Sequence, residues 1–230
     1  MSTATLNTPS RSLLGFYSTT LGKKLVMAIT GFILVGFVVG HMAGNLQVFL
    51  GKEVFNRYAA LLHSSAGLLW TIRLVLLASV VMHIVSAVQL ALLDKKARPQ
   101  RYVKWKSTKS TYASRTMYWS GPILFVFIVY HLQHLTTGRL HPTQPFPGYH
   151  MAYENVVAGF QVVPVSLFYI FAMVLLCLHL YHGVWSMFQT LGIAHPRYTP
   201  LLRNLAVAIA FAVLAGFSSV PLAVMLGFVR

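Results

Sequence analysis

Histidines within long apolar segments are the side chains of this sequence best suited to carry chemistry. Six of the ten histidines lie in or at the edge of such segments: His41, His83, His131, His134, His179 and His182. A histidine in hydrocarbon costs free energy unless it is paired or ligates a metal, so each one predicts a functional site. Two imidazoles on facing helices are a ligand set for a haem held inside a helix bundle.

The elements that must position these histidines are membrane-spanning helices. The 230 residues are 57% hydrophobic and 9% charged, with a mean hydropathy of +0.67, which is too apolar for a soluble domain. A helix needs about 20 apolar residues to cross a bilayer. Five segments reach that length: about 24–46, 66–93, 117–137, 162–190 and 204–228. We therefore predict an all-α membrane protein whose five transmembrane helices form a bundle that encloses two haems.

The distribution of basic residues predicts the orientation, because cytoplasmic loops retain positive charge. Thirteen fall on one side of the predicted bundle: Arg11, Lys23, Lys24, Lys95, Lys96, Arg98, Arg101, Lys104, Lys106, Lys109, Arg115, Arg197 and Arg203. The other side has four, Lys52, Arg57, Arg139 and Arg230, while Arg73 lies just inside the second span. We predict a cytoplasmic N-terminal tail over residues 1–23, a transmembrane domain over residues 24–230 and an external C-terminus.

Antiparallel helices place the histidines at two depths. At a rise of 1.5 Å per residue, His41 lies about 25 Å from the cytoplasmic start of the first span, near the outer face. His131 falls near the same face, whereas His83 falls near the cytoplasmic face. His179 and His182 of the fourth span also fall near the cytoplasmic face. The predicted ligand pairs are His41 with His131 for an outer haem, and His83 with either His179 or His182 for a haem on the cytoplasmic side.

Two further considerations bear on these pairs. A single buried histidine is most often held by a hydrogen bond to a neighbouring helix, but four at two matched depths favour two haems. His134 is too close to Arg139 and the interface to match the depth of His41, so His131 is the expected ligand. His179 and His182 are three residues apart on similar faces of one helix, and spacing leaves both open.

The rest of the sequence says how a haem would be held. There is no Cys-x-x-Cys-His sequence, so the haems would be bound without covalent tethers. Glycines recur on the helices that carry the predicted ligands, and they would allow close approach of a haem or simply close helix packing. These glycines are Gly31, Gly36, Gly40, Gly121 and Gly183.

Six short motifs are spread over nearly the whole chain: GKKLVMAITG at 22–31, HMAGNL at 41–46, MHI at 82–84, SRTM at 114–117, YHLQH at 130–134 and LHLYHGVWS at 178–186. Together they resemble the di-haem cytochrome b membrane-anchor subunit of succinate:quinone oxidoreductases, the succinate dehydrogenases and fumarate reductases, in its single-subunit form with five helices. Any one motif alone is weak.

The resemblance implies a multi-pass subunit of the bacterial cytoplasmic membrane that contains two haems b. Electrons would pass through the haems between an iron–sulfur subunit on the cytoplasmic face and a membrane quinone, expected to be menaquinone. Succinate or fumarate would react on a separate flavoprotein subunit of the same respiratory complex, which links the tricarboxylic acid cycle to the quinone pool. No nucleic acid partner is expected.

The family pattern also separates the two candidate ligands of the fourth span. The ligand there precedes a glycine by four positions, which selects His179 before Gly183 and leaves His182 as the alternative. Some di-haem relatives have a glutamate two residues before this ligand, where this sequence has Cys177. That departure argues against a carboxylate-based proton path through the bundle.

Three polar side chains are candidate contacts for haem propionates: Arg73, Ser114 and Arg115. A guanidinium group binds a carboxylate through two hydrogen bonds, although an arginine near a helix end also extends to the interface without a ligand. The basic segment 95–109, with Tyr102 and Trp105, is either a docking surface for the iron–sulfur subunit or an ordinary cytoplasmic loop.

Two other functions compete with this interpretation. The first is the cytochrome b subunit of another quinone-linked enzyme, such as a formate dehydrogenase or hydrogenase, which would co-purify with different subunits. The second is a haem-free transporter or structural membrane protein. The absence of Asp and Glu from the predicted spans disfavours it.

Overall fold

Helices account for the regular secondary structure in the described part of the chain. The computed structural model describes residues 13–97, 112–193 and 195–230. Its α-helices are α1 (Leu13–Ser18), α2 (Thr20–Asn45), α3 (Lys52–His63), α4 (Ala66–Ala97), α5 (Tyr112–Leu135), α6 (Ala152–Gln161), α7 (Val163–Thr190) and α8 (Thr199–Met225). Two short 3-10 segments, Leu46–Leu50 and Gly148–Met151, follow α2 and precede α6. The predicted all-α class is confirmed.

Four of these helices are long and apolar enough to cross a membrane: α2 with its 3-10 extension, α4, α7 and α8. They cover four of the five predicted spans, so the prediction of a multi-pass membrane protein is confirmed. α5 covers the remaining span with 24 residues, but it contains Pro122 and ends with His131, Gln133 and His134. These residues make α5 less apolar than the other four helices, and its crossing of the membrane stays a prediction.

Local sequence explains where the long helices begin. Thr19 caps α2, because its hydroxyl oxygen accepts a hydrogen bond from the Gly22 N–H at 3.0 Å. α7 and α8 each have a proline in the first turn, where a missing N–H costs no helical hydrogen bond. Gly51 connects the first 3-10 segment to α3 with a φ of 96°, a conformation that favours glycine.

Helices α2 and α7 form the centre of the bundle. α2 packs against α4, α7 and α8, and α7 also packs against α5 and α8. At the interface of α7 with α8, Ala206, Ala210 and Val213 are buried in one apolar cluster with Leu180 and Val184. Small side chains allow two helices to approach closely in a membrane. α4 and α5 therefore flank a central group of three helices.

Helix α1 packs across one end of the bundle, which we call the N-terminal end. The Tyr17 hydroxyl donates a hydrogen bond to Gln89 Oε1 of α4 at 3.1 Å. Lys23 of α2 donates from Nζ to the carbonyl oxygens of Tyr17 and Ser18, at 3.0 and 2.7 Å. These are the last carbonyls of α1, which otherwise lack intrahelical donors. α1 is thus tied to both α2 and α4.

The short helices α3 and α6 cover the other end of the bundle, which we call the opposite end. Asn56 donates from Nδ2 to Glu154 Oε2 at 3.1 Å and accepts at Oδ1 from the Tyr153 N–H at 2.8 Å. Lys52 forms an ion pair with Glu154. Both helices lie in segments predicted as connections between spans, and together they form a polar cap on the bundle.

Candidate haem sites

His41 of α2 and His131 of α5 are brought together and form the α2–α5 pair. Their ring centroids lie 5.9 Å apart, with the rings crossing at 79°. Phe37 stacks on His41 at 5.2 Å and Phe127 stacks on His131 at 5.9 Å, while Phe217 of α8 lies 5.7 Å from His41. This pair therefore has apolar aromatic surroundings.

His83 of α4 and His179 of α7 form a second pair, the α4–α7 pair, with ring centroids 6.3 Å apart. The Nδ1 atom of His83 lies 3.2 Å from the carbonyl oxygen of Met27 and 3.3 Å from the hydroxyl of Thr30. A Cβ atom placed on Gly31 would lie 3.4 Å from Cε1 of the same ring. The ring of His83 thus rests on α2 and faces α7.

The two pairs lie at different levels of the bundle. On α2, Gly31 contacts His83 and precedes His41 by ten residues. On α7, Tyr169 contacts the α2–α5 pair and precedes His179 by ten residues. Ten residues of α-helix correspond to about 15 Å. Two independent helices therefore give the same separation between the pairs.

Each pair brings two imidazoles from different helices within reach of a single metal ion. Two imidazoles on facing helices are the ligand set that would hold a haem inside a helix bundle. The α4–α7 pair lies at 6.3 Å and the α2–α5 pair at 5.9 Å. The four histidines therefore fit two bis-histidine haem sites.

Space next to the ligand helices is also consistent with a haem. A Cβ atom placed on four helical glycines would meet no atom within 4 Å in the described part of the chain: Gly36, Gly40, Gly121 and Gly183. These glycines lie on α2, α5 and α7, which carry three of the four paired histidines. At Gly31, in contrast, a Cβ atom would make ordinary van der Waals contact with the His83 ring at 3.4 Å. A haem role for these glycines stays a prediction.

The ring nitrogens of the paired histidines differ in their hydrogen-bond partners. The Nδ2 atom of Asn45 lies 3.3–3.4 Å from the ring nitrogens of His41, and Nδ1 of His131 lies 3.3 Å from the Tyr169 hydroxyl. His179 is different, since its Nδ1 is buried without a partner among the described residues. A partner that accepts a proton from the far ring nitrogen, as the Tyr169 oxygen can, orients a metal-binding histidine and raises its basicity. The Asn45 amide nitrogen is a donor and cannot act in this way.

A comparison with known families adds an independent finding. A family model described as succinate dehydrogenase/fumarate reductase transmembrane subunit matches residues 95–217, which is just over half of the 230 residues. The chain belongs to this family. No curated protein sequence and no solved structure gives a significant match.

As a succinate dehydrogenase/fumarate reductase transmembrane subunit, the chain is a membrane component of a larger enzyme complex. The matched residues include α5, α7 and most of α8, and therefore His131 and His179, whereas His41 and His83 precede them. The resemblance found from the sequence motifs is thus confirmed at the level of the family.

The candidate propionate contacts of this transmembrane subunit lie at both ends of the bundle. Arg73 is ten residues before His83 on α4, about 15 Å toward the opposite end, and its guanidinium lies 5.2 Å from the centre of the Trp70 ring. Ser114 and Arg115 lie in the first turn of α5 at the N-terminal end. Their propionate contacts stay predictions. Most of the basic segment 95–109, from residue 98 onward, lies outside the described residues.

Two further histidines of the subunit, His134 and His182, lie outside the two pairs. His134, which the sequence argument set aside on depth, is completely buried, with Nδ1 2.9 Å from the Tyr169 hydroxyl. Its ring stacks on His141 at 5.3 Å. His182 lies one turn after His179 and is half-buried, while the ring contact of the α4–α7 pair is made by His179. Sequence reasoning missed Tyr169 and His141. The one signal for a shared partner is that His131 and His134, three residues apart, lie on similar faces of one helix.

Proposed function

We propose that this chain is the cytochrome b membrane anchor of a succinate:quinone oxidoreductase, and that it passes electrons through two haems b between an iron–sulfur subunit and quinone. The observation that carries the proposal is the pairing of four histidines from four helices, with ring separations of 5.9 and 6.3 Å. Family membership supplies the enzyme class. The histidine pairs support the route of the electrons, and family membership supports the kind of complex, so the proposal needs both.

The paired histidines would act as the axial ligands. His41 and His131 would hold one haem, and His83 and His179 would hold the other. Haem iron, when bound, supplies one-electron redox chemistry. The protein sets the ligand spacing by packing the helices that carry these histidines onto α2 and α7. The aromatic rings around the α2–α5 pair add to the burial of that site, and burial is one of the factors that tune the potential.

The position of the two pairs supports a route across the membrane. Their separation of about 15 Å along α2 is half the thickness of a hydrocarbon core of about 30 Å. In the proposed topology α5 also crosses the membrane, as the third of five spans, because it carries His131 and packs against α7. The excess of basic residues at the N-terminal end favours a cytoplasmic N-terminus and an external C-terminus. The α4–α7 pair would then lie near the cytoplasm and the α2–α5 pair near the outer face.

The partners follow from this orientation. The iron–sulfur subunit would dock at the N-terminal end, where Lys95 and Lys96 end α4. A flavoprotein subunit would carry the succinate or fumarate chemistry, and the proposed electron carrier in the membrane is menaquinone. Arg73, Ser114 and Arg115 would contact haem propionates. The proposed location is the bacterial cytoplasmic membrane.

Purification of the intact complex from membranes tests the proposal. We expect a reduced-minus-oxidised spectrum with b-type bands, two haems per chain by pyridine haemochrome assay, and co-purification of a flavoprotein and an iron–sulfur protein. The absence of b-type bands would overturn the haem assignment. Two haems in a complex without a flavoprotein would instead point to another quinone-linked dehydrogenase or a hydrogenase.

A further inference from the structure

The Tyr169 hydroxyl is shared by two histidines of α5. It lies 3.3 Å from Nδ1 of His131 and 2.9 Å from Nδ1 of His134. Tyr169 is buried in α7, where its ring packs edge-on against Phe127 and Phe160. The hydroxyl is therefore held between the two imidazoles by the packing of its own ring.

Ligation would fix the direction of both hydrogen bonds. In the proposed function His131 binds iron through Nε2, so the neutral ring carries its proton on Nδ1 and donates it to the Tyr169 oxygen. The Tyr169 O–H is then free to donate to Nδ1 of His134. With this donation His134 is the tautomer protonated on Nε2, an atom that is buried without a partner among the described residues. One oxygen thus accepts from the ligand and donates to the second histidine.

The surroundings of His134 hold this second acceptor in place. Its side chain is completely buried, and its ring stacks on His141, which accepts the Thr143 N–H at 3.1 Å. A Cβ atom on Gly159 would lie 2.8 Å from both Cε1 and Nε2 of His134. The backbone of α6 therefore closes the Nε2 side of the ring and leaves no room there for a metal. His134 is built to hold Tyr169, not to bind a haem.

We propose that Tyr169 is the positioning residue for the ligand His131, and that His134 fixes the direction of the Tyr169 hydroxyl. The proposal rests on the proposed function, since it assumes a haem on the α2–α5 pair. Acceptance of a hydrogen bond from the far nitrogen makes an imidazole a more basic ligand. A more basic ligand stabilises ferric over ferrous iron, so Tyr169 lowers the midpoint potential of the outer haem.

The test is a redox titration of the purified complex that contains the Tyr169→Phe variant, followed by visible spectra and by electron paramagnetic resonance of the ferric haems. We expect the ferric-to-ferrous ratio of the outer haem to fall about tenfold at a given potential, which corresponds to about +59 mV for a one-electron couple. The haem of the α4–α7 pair is the internal control and should keep its potential. His131→Ala identifies which signal belongs to the outer haem.

Tyr130→Phe is the matched control, because Tyr130 stacks on His134 at 5.6 Å and packs against Tyr169 through its ring. It should leave both potentials unchanged. His134→Leu removes the acceptor for the Tyr169 hydroxyl and should raise the outer potential by less than Tyr169→Phe does. His134→Asn keeps an acceptor at the same place and should restore the wild-type value.

The results distinguish a positioning role from simple packing. An outer haem with wild-type potential and g-values in Tyr169→Phe, or an equal shift in Tyr130→Phe, overturns the proposal. Selective loss of the outer haem in Tyr169→Phe supports it. If Tyr169→Phe assembles with no haem at all, the two His134 variants decide. Equal midpoint potentials of the outer haem in His134→Leu and His134→Asn overturn the proposal, and different potentials support it. A wild-type complex without haem would instead contradict the proposed function itself.

Discussion

The imidazole rings of His83 and His179 face each other with their centroids 6.3 Å apart. The helices that carry them, α4 and α7, both pack against α2. On α2, Gly31 and Thr30 touch the ring of His83. The ring of His83 thus rests on α2 where α4 packs against it, and a Cβ atom at position 31 would make ordinary van der Waals contact with that ring.

His179→Ala is expected to remove the haem of the α4–α7 pair and to leave the other one, because the iron would lose one of its two axial ligands. His182→Ala is the control, since it changes a histidine one turn further along the same helix and should retain both haems. The haem content per chain and the reduced-minus-oxidised spectrum measure both variants. A haem lost from His182→Ala and kept in His179→Ala would move the ligand to His182.

His41→Ala and His131→Ala are each expected to remove the haem of the α2–α5 pair and to preserve the haem of the α4–α7 pair. His134→Asn should retain both haems, because its ring is closed in by α6 and holds Tyr169 rather than iron. Haem content and the ferric spectrum of membranes test these variants. Two full haems in His131→Ala would show that another side chain completes the site.

Thr30→Val is expected to raise the midpoint potential of the haem on the α4–α7 pair by less than 59 mV, the value for a tenfold change in a one-electron couple. Valine has the same shape but removes one of the two oxygens near Nδ1 of His83, while the Met27 carbonyl stays. Redox titration measures the shift. Thr71→Val, on the exposed side of α4, is the control and should change neither potential.

Much of the site was predictable because it depends on depth and periodicity. The rise of a helix is fixed, so the positions of His41, His83, His131 and His179 along their spans were enough to sort them into two levels. The family motif then separated His179 from His182. Tyr169 was not predictable, because its role depends on the rotation of α7 relative to α5, and no local pattern in either helix specifies that rotation.

The fold was predictable to the same extent. The long helices lie on the five predicted segments. α8, however, begins at Thr199 rather than near residue 204, and Pro200 in its first turn marks that start. α3 and α6 were treated as parts of connections. They are short, and their stability depends on packing against the bundle and on contacts such as Asn56 with Glu154, which join residues almost a hundred positions apart.

Gly22→Ala is expected to destabilise the corner between α1 and α2 by about 1–3 kcal/mol, the usual cost of overpacking. A Cβ atom there would overlap the backbone carbonyl of Phe16, which cannot move without unwinding α1. Thermal unfolding in detergent should show a lower Tm, and protease should cleave near Tyr17 more readily. Gly67→Ala, where a Cβ atom meets no described atom within 4 Å, is the control. An unchanged Tm in Gly22→Ala would contradict this packing.

The cap of α3 and α6 should lose stability in acid. Burial alone would raise the pKa of Glu154, but hydrogen bonds from Lys52 and Asn56, together with the Lys52 charge, hold that pKa below its ordinary value. The folded state then binds fewer protons than the unfolded state around the ordinary glutamate pKa of about 4.3. The stabilisation is present above that pH and is lost as the pH falls through the folded pKa.

Glu154→Gln should therefore lower the Tm at pH 7 and have less effect as the pH falls below about 4.3, where the wild-type carboxylate is itself protonated. Thermal unfolding in detergent between pH 7 and 3.5 measures the difference between the two proteins. Glu53→Gln, in the first turn of α3, is the matched control for loss of a carboxylate, and it should leave the acid dependence in place. A gap between wild type and Glu154→Gln that stays constant over this range would show that the ion pair does not couple the cap to pH.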